Sequence, residues 1–431
     1  MMKGRGAEKE PKPHSIGQIL GGVRTDSFYY NALQLLFTMF MTSGLGFLFL
    51  IFAAMMIPST AEVGIGTSII STISLMTVLS RFGFDQSLIR NFPHGDKSTV
   101  FSTSLIFTTL IAVLMATVFL LNIGVFAPDL TITLYDGAAI FVIAVACSSI
   151  LNLTGNCFLA LRKTKYKLMQ EMLMNLKLLF LFALFSLGAA GILLSFSFSA
   201  IIASVVSLAL LARYGIKLVI PKKDYFVSTF KFSSGAYIAT CLFSAPYLLM
   251  PLIVLNALGP ATAANYYMAY SIYSVIVMIP TASCTFLLVE GSHEGGTSKT
   301  LYKSIRLSLT FLLPIVLVVA IFGRILLGII GSDYAEGGYD LLLLLSMASI
   351  PYTIIQSYTA VLLTHRKIRV NIAINALIFS THLGFTIWLV SGLGLIGIGY
   401  AWLLSYTLVA LVVILLLMRQ RRSQVRLGRE A

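Results

Sequence analysis

Apolar residues run along this chain in stretches of about twenty, and short polar gaps separate one stretch from the next. The stretches cover approximately residues 32–57, 61–81, 99–123, 137–161, 168–187, 189–212, 232–257, 263–289, 307–329, 341–364, 370–391 and 394–418. A helix rises ~1.5 Å per residue, so roughly twenty residues cross a hydrocarbon layer ~30 Å thick. Inside lipid only helices and closed barrels satisfy the whole backbone. Barrel strands need only about ten residues, half the length of these stretches. The pattern therefore predicts an all-α integral membrane protein with twelve transmembrane helices.

The polar gaps alternate in sign. Twenty-eight of the thirty Lys and Arg fall in seven clusters, at every second gap. An N-terminal arm carries Lys3, Arg5, Lys9, Lys12 and Arg24. Next come Arg81, Arg90 and Lys97, then Arg162, Lys163, Lys165 and Lys167. A central connection carries Arg213, Lys217, Lys222, Lys223 and Lys231. Lys299, Lys303 and Arg306 follow, then Arg366, Lys367 and Arg369, and last Arg419, Arg421, Arg422, Arg426 and Arg429. The remaining gaps hold Glu62, Asp129, Asp136, Asp333, Glu336 and Asp340. Cationic loops stay cytoplasmic. Both termini are thus expected on the cytoplasmic side of the plasma membrane. Only Lys177 and Arg324 break the alternation, and both lie within spans.

Composition narrows the function classes. Apolar content is 58% and charged content 11%, against roughly 25% charged in soluble domains. The net charge of +14 needs no nucleic acid, because the cytoplasmic bias and attraction to anionic lipid account for it. Cys147, Cys157, Cys241 and Cys284 all lie in apolar stretches, where cysteine packs as a small hydrophobe. No disulfide framework, metal site or cofactor is expected. The first thirty residues are polar, so no cleavable signal peptide is expected. No Walker A sequence is present.

The two halves repeat. Pro58-Ser59-Thr60-Ala61 returns as Pro260-Ala261-Thr262-Ala263, an offset of 202. Lys163-Thr164-Lys165 returns as Lys367-Ile368-Arg369, an offset of 204. Leu187-Gly188-Ala189-Ala190-Gly191-Ile192 returns as Leu393-Gly394-Leu395-Ile396-Gly397-Ile398, an offset of 206. Three matches in order argue for duplication. Six spans per half is an even number, so the predicted lobes are parallel, related by a pseudo-two-fold axis along the membrane normal. The expected organisation is a cytoplasmic arm 1–31, a first lobe 32–212, a linker 213–231, a second lobe 232–418 and a basic tail 419–431. Transporters built from two such halves bind substrate between them and rock.

Three stretches carry a family resemblance: Asn31-Ala32-Leu33-Gln34-Leu35-Leu36, Ala61-Glu62-Val63-Gly64-Ile65-Gly66, and Arg81 through Arg90 (RFGFDQSLIR). With the repeated Gly-x-x-Gly openings, they make the chain similar to the Wzx-like polysaccharide flippases. That family belongs to the MOP superfamily, which also holds the MATE exporters. The resemblance covers about residues 28–418. It implies alternating-access movement of a lipid-linked oligosaccharide, on a polyprenyl-phosphate carrier, across the cytoplasmic membrane for surface-glycan assembly. It further implies membrane proteins of polysaccharide assembly as partners, and no enzymatic activity.

Such a substrate needs cations for phosphate and aromatic or hydrogen-bonding groups for sugar. Intramembrane charges usually face protein or water. Lys177 lies about ten residues into its span, six after Glu171. It is either a phosphate contact or a lysine snorkelling to the interface. Arg24, Arg81 and Arg90 are further substrate candidates at the cytoplasmic mouth, with positive-inside anchoring as the plain alternative. Glu171 and His382 are candidate coupling groups, and a packing histidine explains His382 equally well. Tyr266, Tyr270 and Tyr273 share one helix face. Tyr270 and Tyr273 are deep enough to line a sugar cavity, whereas Tyr266 sits at interface-belt depth. Arg324 either holds substrate before release or pairs with Asp333 or Glu336, and the pairing is the expectation. Pro246 and Pro251 in one span are a candidate hinge, or static kinks.

Three rivals remain. A cation-coupled MATE-like exporter of small molecules would need an essential buried acid, and only Glu171 and Asp85 are on offer. A major facilitator transporter would carry a Gly-x-x-x-Asp-Arg-x-Gly-Arg-like loop after its second span, which is missing here. A polymerase or glycosyltransferase would need a large external loop or an Asp-x-Asp pair, and neither occurs.

Overall fold

Long apolar sequences that must satisfy their own backbone give helix, and helix is the only regular structure among the described residues. The computed structural model describes residues 27–92, 95–294, 298–365 and 367–430. Arg24 and most of the N-terminal arm lie outside the described residues.

The first half contains α1 (Ser27–Met56), α2 (Thr60–Leu79), a short α3 (Phe84–Asn91), α4 (Lys97–Leu121) and α5 (Ala138–Ala160). It continues with α6 (Thr164–Met174), α7 (Lys177–Leu184) and α8 (Gly188–Arg213). The second half contains α9 (Lys223–Leu258), α10 (Pro260–Glu294), α11 (Ser298–Gly328), α12 (Ser332–Thr364) and α13 (Ile368–Glu430). Among the described residues nine segments are long and apolar enough to cross a membrane. Two of them, Thr164–Arg213 and Ile368–Arg419, are 50 and 52 residues long. Each reverses at a glycine.

Those glycines explain the repeated Gly-x-x-Gly. Gly188 has φ 56 and ψ −128, and Gly394 has φ 57 and ψ −134. Only glycine occupies this region without strain. Three residues further on, a Cβ at Gly191 would overlap the carbonyl oxygen of Leu184, and one at Gly397 that of Leu389. A straight helix would hold residues seven or eight apart ~10–12 Å from one another, so the chain reverses at both sites. The first glycine makes the turn and the second lets the new helix lie on the old one. A second local geometry also recurs. The Lys163 amide donates to Phe158 O at 2.8 Å, and the Lys367 amide to Leu362 O at 2.9 Å.

Sequence expectation and structure part at two places. The stretch 168–187 is not one helix: it breaks between Met174 and Lys177 and ends in a 3-10 turn at Phe185–Leu187. Helix α9 begins at Lys223, inside the stretch read as linker, which leaves a short extended connection before it. Hydroxyls of α4 hold that connection: the Val219 amide donates to Ser102 Oγ at 2.9 Å and the Lys217 amide to Ser98 Oγ at 3.1 Å.

Helix α2 is the contact element between the halves, packing against both α9 and α10. Three of its threonines bond back to their own helix: Thr67 Oγ1 to Val63 O, Thr72 to Ser68 O and Thr77 to Ile73 O, each at 2.8 Å. Small residues and self-satisfied hydroxyls allow close helix approach where lipid supplies no hydrophobic drive. Gly64 is in direct contact with the carbonyl of Pro260 at the start of α10. Midway, Ser71 Oγ donates across the interface to Leu248 O at 3.0 Å. One large core of buried side chains runs through both halves, and a smaller one around Leu88, Phe92, Phe101 and Phe158 closes the basic end of the first.

Candidate functional site

The sequence candidates separate into three places. The first is the break between α6 and α7. Asn175 ends α6, its side chain donating back to Glu171 O at 2.8 Å, and Lys177 opens α7. The Lys177 ammonium lies 5.1 Å from the Phe49 ring centre of α1 and 6.0 Å from that of Phe196 in α8. Glu171 is not its ion-pair partner. That carboxylate is taken by Lys167, one helical turn earlier, at 2.5 Å. Among the described residues Lys177 has no acidic partner within ion-pair distance. Two ring faces contribute ~0.5–2 kcal/mol each to a cation, and a lysine at bilayer depth costs ~2.5–3.5 kcal/mol on insertion scales. The rings offset the cost without supplying a counter-charge.

The second place is a cavity of about 340 Å³ enclosed by the second half alone. Tyr270 and Tyr273 line it, as the shared face of α10 leads one to expect. Helices α9, α12 and α13 add Tyr247, Tyr352, Trp402 and Tyr406, with Gln356 and Asn375 among the rings. Ring centres follow one another closely: Tyr270–Tyr273 at 5.7 Å, Tyr273–Trp402 at 6.1 Å, Trp402–Tyr406 and Tyr352–Tyr406 at 5.2 Å. Tyr266 is fully buried behind this wall and stacks on Tyr270 at 5.8 Å. His382 does not line the cavity; its ring packs on Trp402 at 4.3 Å. The Gln356 amide donates to Tyr352 Oη, and the Asn375 amide to Ala239 O at 3.4 Å. Among the described residues no charged one is part of the lining. Gln356, Asn375, Tyr352, Trp402 and Tyr406 escaped the sequence reading. Amides and a tryptophan inside otherwise apolar spans were the available signal.

The third place is the basic end of the interface between halves. Here Phe82 adopts φ 46 and Gly83 φ 79. A left-handed phenylalanine is strained, and the turn stacks its ring on Tyr237 of α9 at 5.1 Å. Tyr237 Oη in turn donates to Leu79 O at 2.6 Å. Ser87 and Gln86 reach Thr229 and Thr240 at 3.1 and 3.2 Å. Arg81 pairs with Asp85 at 3.7 Å. The side chain of Arg90 is exposed at the end of α3. The stretch Arg81–Arg90 therefore builds the joint between the halves. Pro246 and Pro251 sit within α9, which runs through both as one helix.

Lys177 and the tyrosines are thus in opposite halves, not in one pocket. Arg324 also departs from expectation, lying over the Tyr339 ring at 5.3 Å instead of pairing with an acid. The four cysteines are unpaired, and no three potential metal ligands come together among the described residues.

This fold is that of multi-pass membrane transporters of the MOP superfamily. An inward-facing multidrug resistance MATE family transporter of that superfamily superposes with a TM-score of 0.74 at 14% identity, over 92% of this chain and 99% of the other. The lipid II flippase MurJ, in an inward closed conformation, gives a TM-score of 0.72 at 13% identity, over 89% of this chain and 87% of MurJ. An outward-facing MATE family transporter gives 0.64 at 14% identity, over 92% of this chain and 96% of that one. The chain belongs to the polysaccharide biosynthesis protein family, whose model matches residues 29–285. The family resemblance read from the sequence is borne out. No curated protein matches the chain.

Proposed function

We propose that this protein flips a polyprenyl-phosphate-linked sugar across the cytoplasmic membrane by alternating access. The observation that carries this reading is Lys177: a cation within a span, held by two aromatic faces, with its nearby acid engaged elsewhere. Such a site takes an anion, and a lipid-linked sugar supplies one as phosphate. Family membership and the fold shared with MurJ, itself a lipid II flippase, support a lipid-linked substrate. Two six-helix lobes are the architecture we infer, supported by the matching backbone geometry at Gly188 and Gly394. The basic loops face the cytoplasm in this reading. A TM-score higher for the inward-facing than for the outward-facing MATE transporter is consistent with a form open to that side.

A MATE-like cation-coupled exporter shares the fold. It would need a free intramembrane acid, and both candidates are engaged: Glu171 with Lys167, Asp85 with Arg81.

The test is flipping of a fluorescent polyprenyl-pyrophosphate sugar in proteoliposomes. Wild type is expected to flip it, and Lys177→Ala to slow it at least tenfold while remaining monodisperse. Equal rates would remove Lys177 from the site. Extrusion of a cationic dye down an ion gradient, without sugar flipping, would favour the exporter.

A further inference from the structure

We infer that the aromatic cavity of the second half is a subsite for one uncharged sugar unit, and that it excludes uronic acids. The inference rests on the lipid-linked sugar reading above and adds a selectivity to it. Three features define the ligand. The volume of about 340 Å³ is at the low end of the ~300–1,000 Å³ typical of ligand sites, so it admits one small unit and not an oligosaccharide. The walls are aromatic, with Tyr270, Tyr273, Tyr352 and Trp402 among them, and aromatic rings suit the apolar face of a pyranose. The polar groups are all neutral, five tyrosine hydroxyls and two amides among them. Gln356 and Asn375 each place one amide N–H on Tyr352 Oη and Ala239 O, and their carbonyl oxygens are acceptors suited to sugar hydroxyls. A ligand rich in O–H donors and free of charge fits all three.

A uronic acid matches the size and the walls, and its carboxylate fails on charge. Among the described residues the lining offers no Lys, Arg or His, and a buried carboxylate without a counter-charge is strongly disfavoured. Lys177 is no help, since it belongs to the other half and is no part of this lining. Anion and sugar are therefore recognised at separate places. Aromatic walls also attract organic cations, so a cation must be among the probes.

The chain carries its own reporter. It has two tryptophans: Trp402 is buried at the cavity, and Trp388 is 70% exposed. Full-length Trp388→Phe protein in lipid nanodiscs leaves Trp402 as the sole indole. Titration with methyl β-glucopyranoside should give a saturable change in Trp402 emission. Methyl glucuronide and tetramethylammonium should respond at least tenfold more weakly. Gln356→Leu should weaken the glucoside response about tenfold, and Thr359→Val, also in the lining, serves if that variant is not monodisperse. No saturable response to glucoside, or an equal response to glucuronide or tetramethylammonium, overturns the subsite. Flipping of the lipid-linked sugar is measured on the same preparation. Retained flipping without a Trp402 response removes this subsite alone. A glucoside response without flipping removes the flippase reading alone.

Discussion

Asp96 shows how one side chain sets a local structure in the loops. It caps α4, accepting from the amides of Ser98 and Thr99, each at 3.3 Å. The Thr99 hydroxyl bond, above all, lowers its carboxyl below the ordinary range, with the two amide bonds and nearby Lys222 acting the same way against partial desolvation. A carboxylate with a lowered folded pKa stabilises fully above its unfolded pKa. That contribution disappears as pH falls through the lowered value. Hydrogen exchange at the first turn of α4 should therefore accelerate as pH drops below the normal Asp range, after correction for intrinsic rates. Asp96→Ala should exchange rapidly at every pH; a variant with the wild-type pH profile would deny the cap its role. Some pairings at this scale are legible in sequence. Lys167 and Glu171 are four apart, the spacing of a helical ion pair. The left-handed Phe82 is not, because its conformation is imposed by stacking on Tyr237, a residue far along the chain.

At the scale of elements, the two glycine turns make a comparison possible within one molecule. Replacing glycine by alanine in this sparsely populated backbone region costs ~1–3 kcal/mol from backbone sterics alone. At Gly394 a new Cβ would meet nothing within 4 Å, so that strain is the whole effect. At Gly188 the Cβ would come within 2.5 Å of Glu62 Oε2. The same oxygen accepts from the Ala189 amide at 2.7 Å, satisfying the first turn of α8. Gly188→Ala must displace that cap and should be the more destabilising variant by a further ~1 kcal/mol. Thermal unfolding in detergent measures the difference, and equal melting points would refute the role assigned to Glu62. These turns were legible, since Gly-x-x-Gly recurs at a fixed offset. The break at Asn175 was not. Gln170, Glu171, Asn175 and Lys177 make the stretch polar for a span, but hydropathy records length without recording continuity.

Across the whole molecule, hydropathy and charge alternation give the helices and their order, because lipid thickness constrains both. They do not give convergence. The second-half cavity draws residues from four helices, α9, α10, α12 and α13, and only the tyrosines sharing the α10 face could be read from spacing. How the halves move is also a property of the whole, and α9 is where it can be tested. Pro251 removes the amide that would bond to Tyr247 O, and Pro246 does the same one turn and a half earlier. Ser71 of the opposite half donates to Leu248 O inside this weakened region. The bond between halves thus attaches where α9 bends most easily. If the halves rock by flexing α9 there, restoring both backbone bonds stiffens the element that must bend. Pro246→Ala combined with Pro251→Ala should raise the melting temperature or leave it unchanged, yet slow flipping about tenfold. Ser71→Ala should alter the flipping rate with little effect on stability, since it removes a contact and not a helix bond. Unchanged flipping in the double proline variant would mean that the prolines are static kinks and that the halves turn about another element.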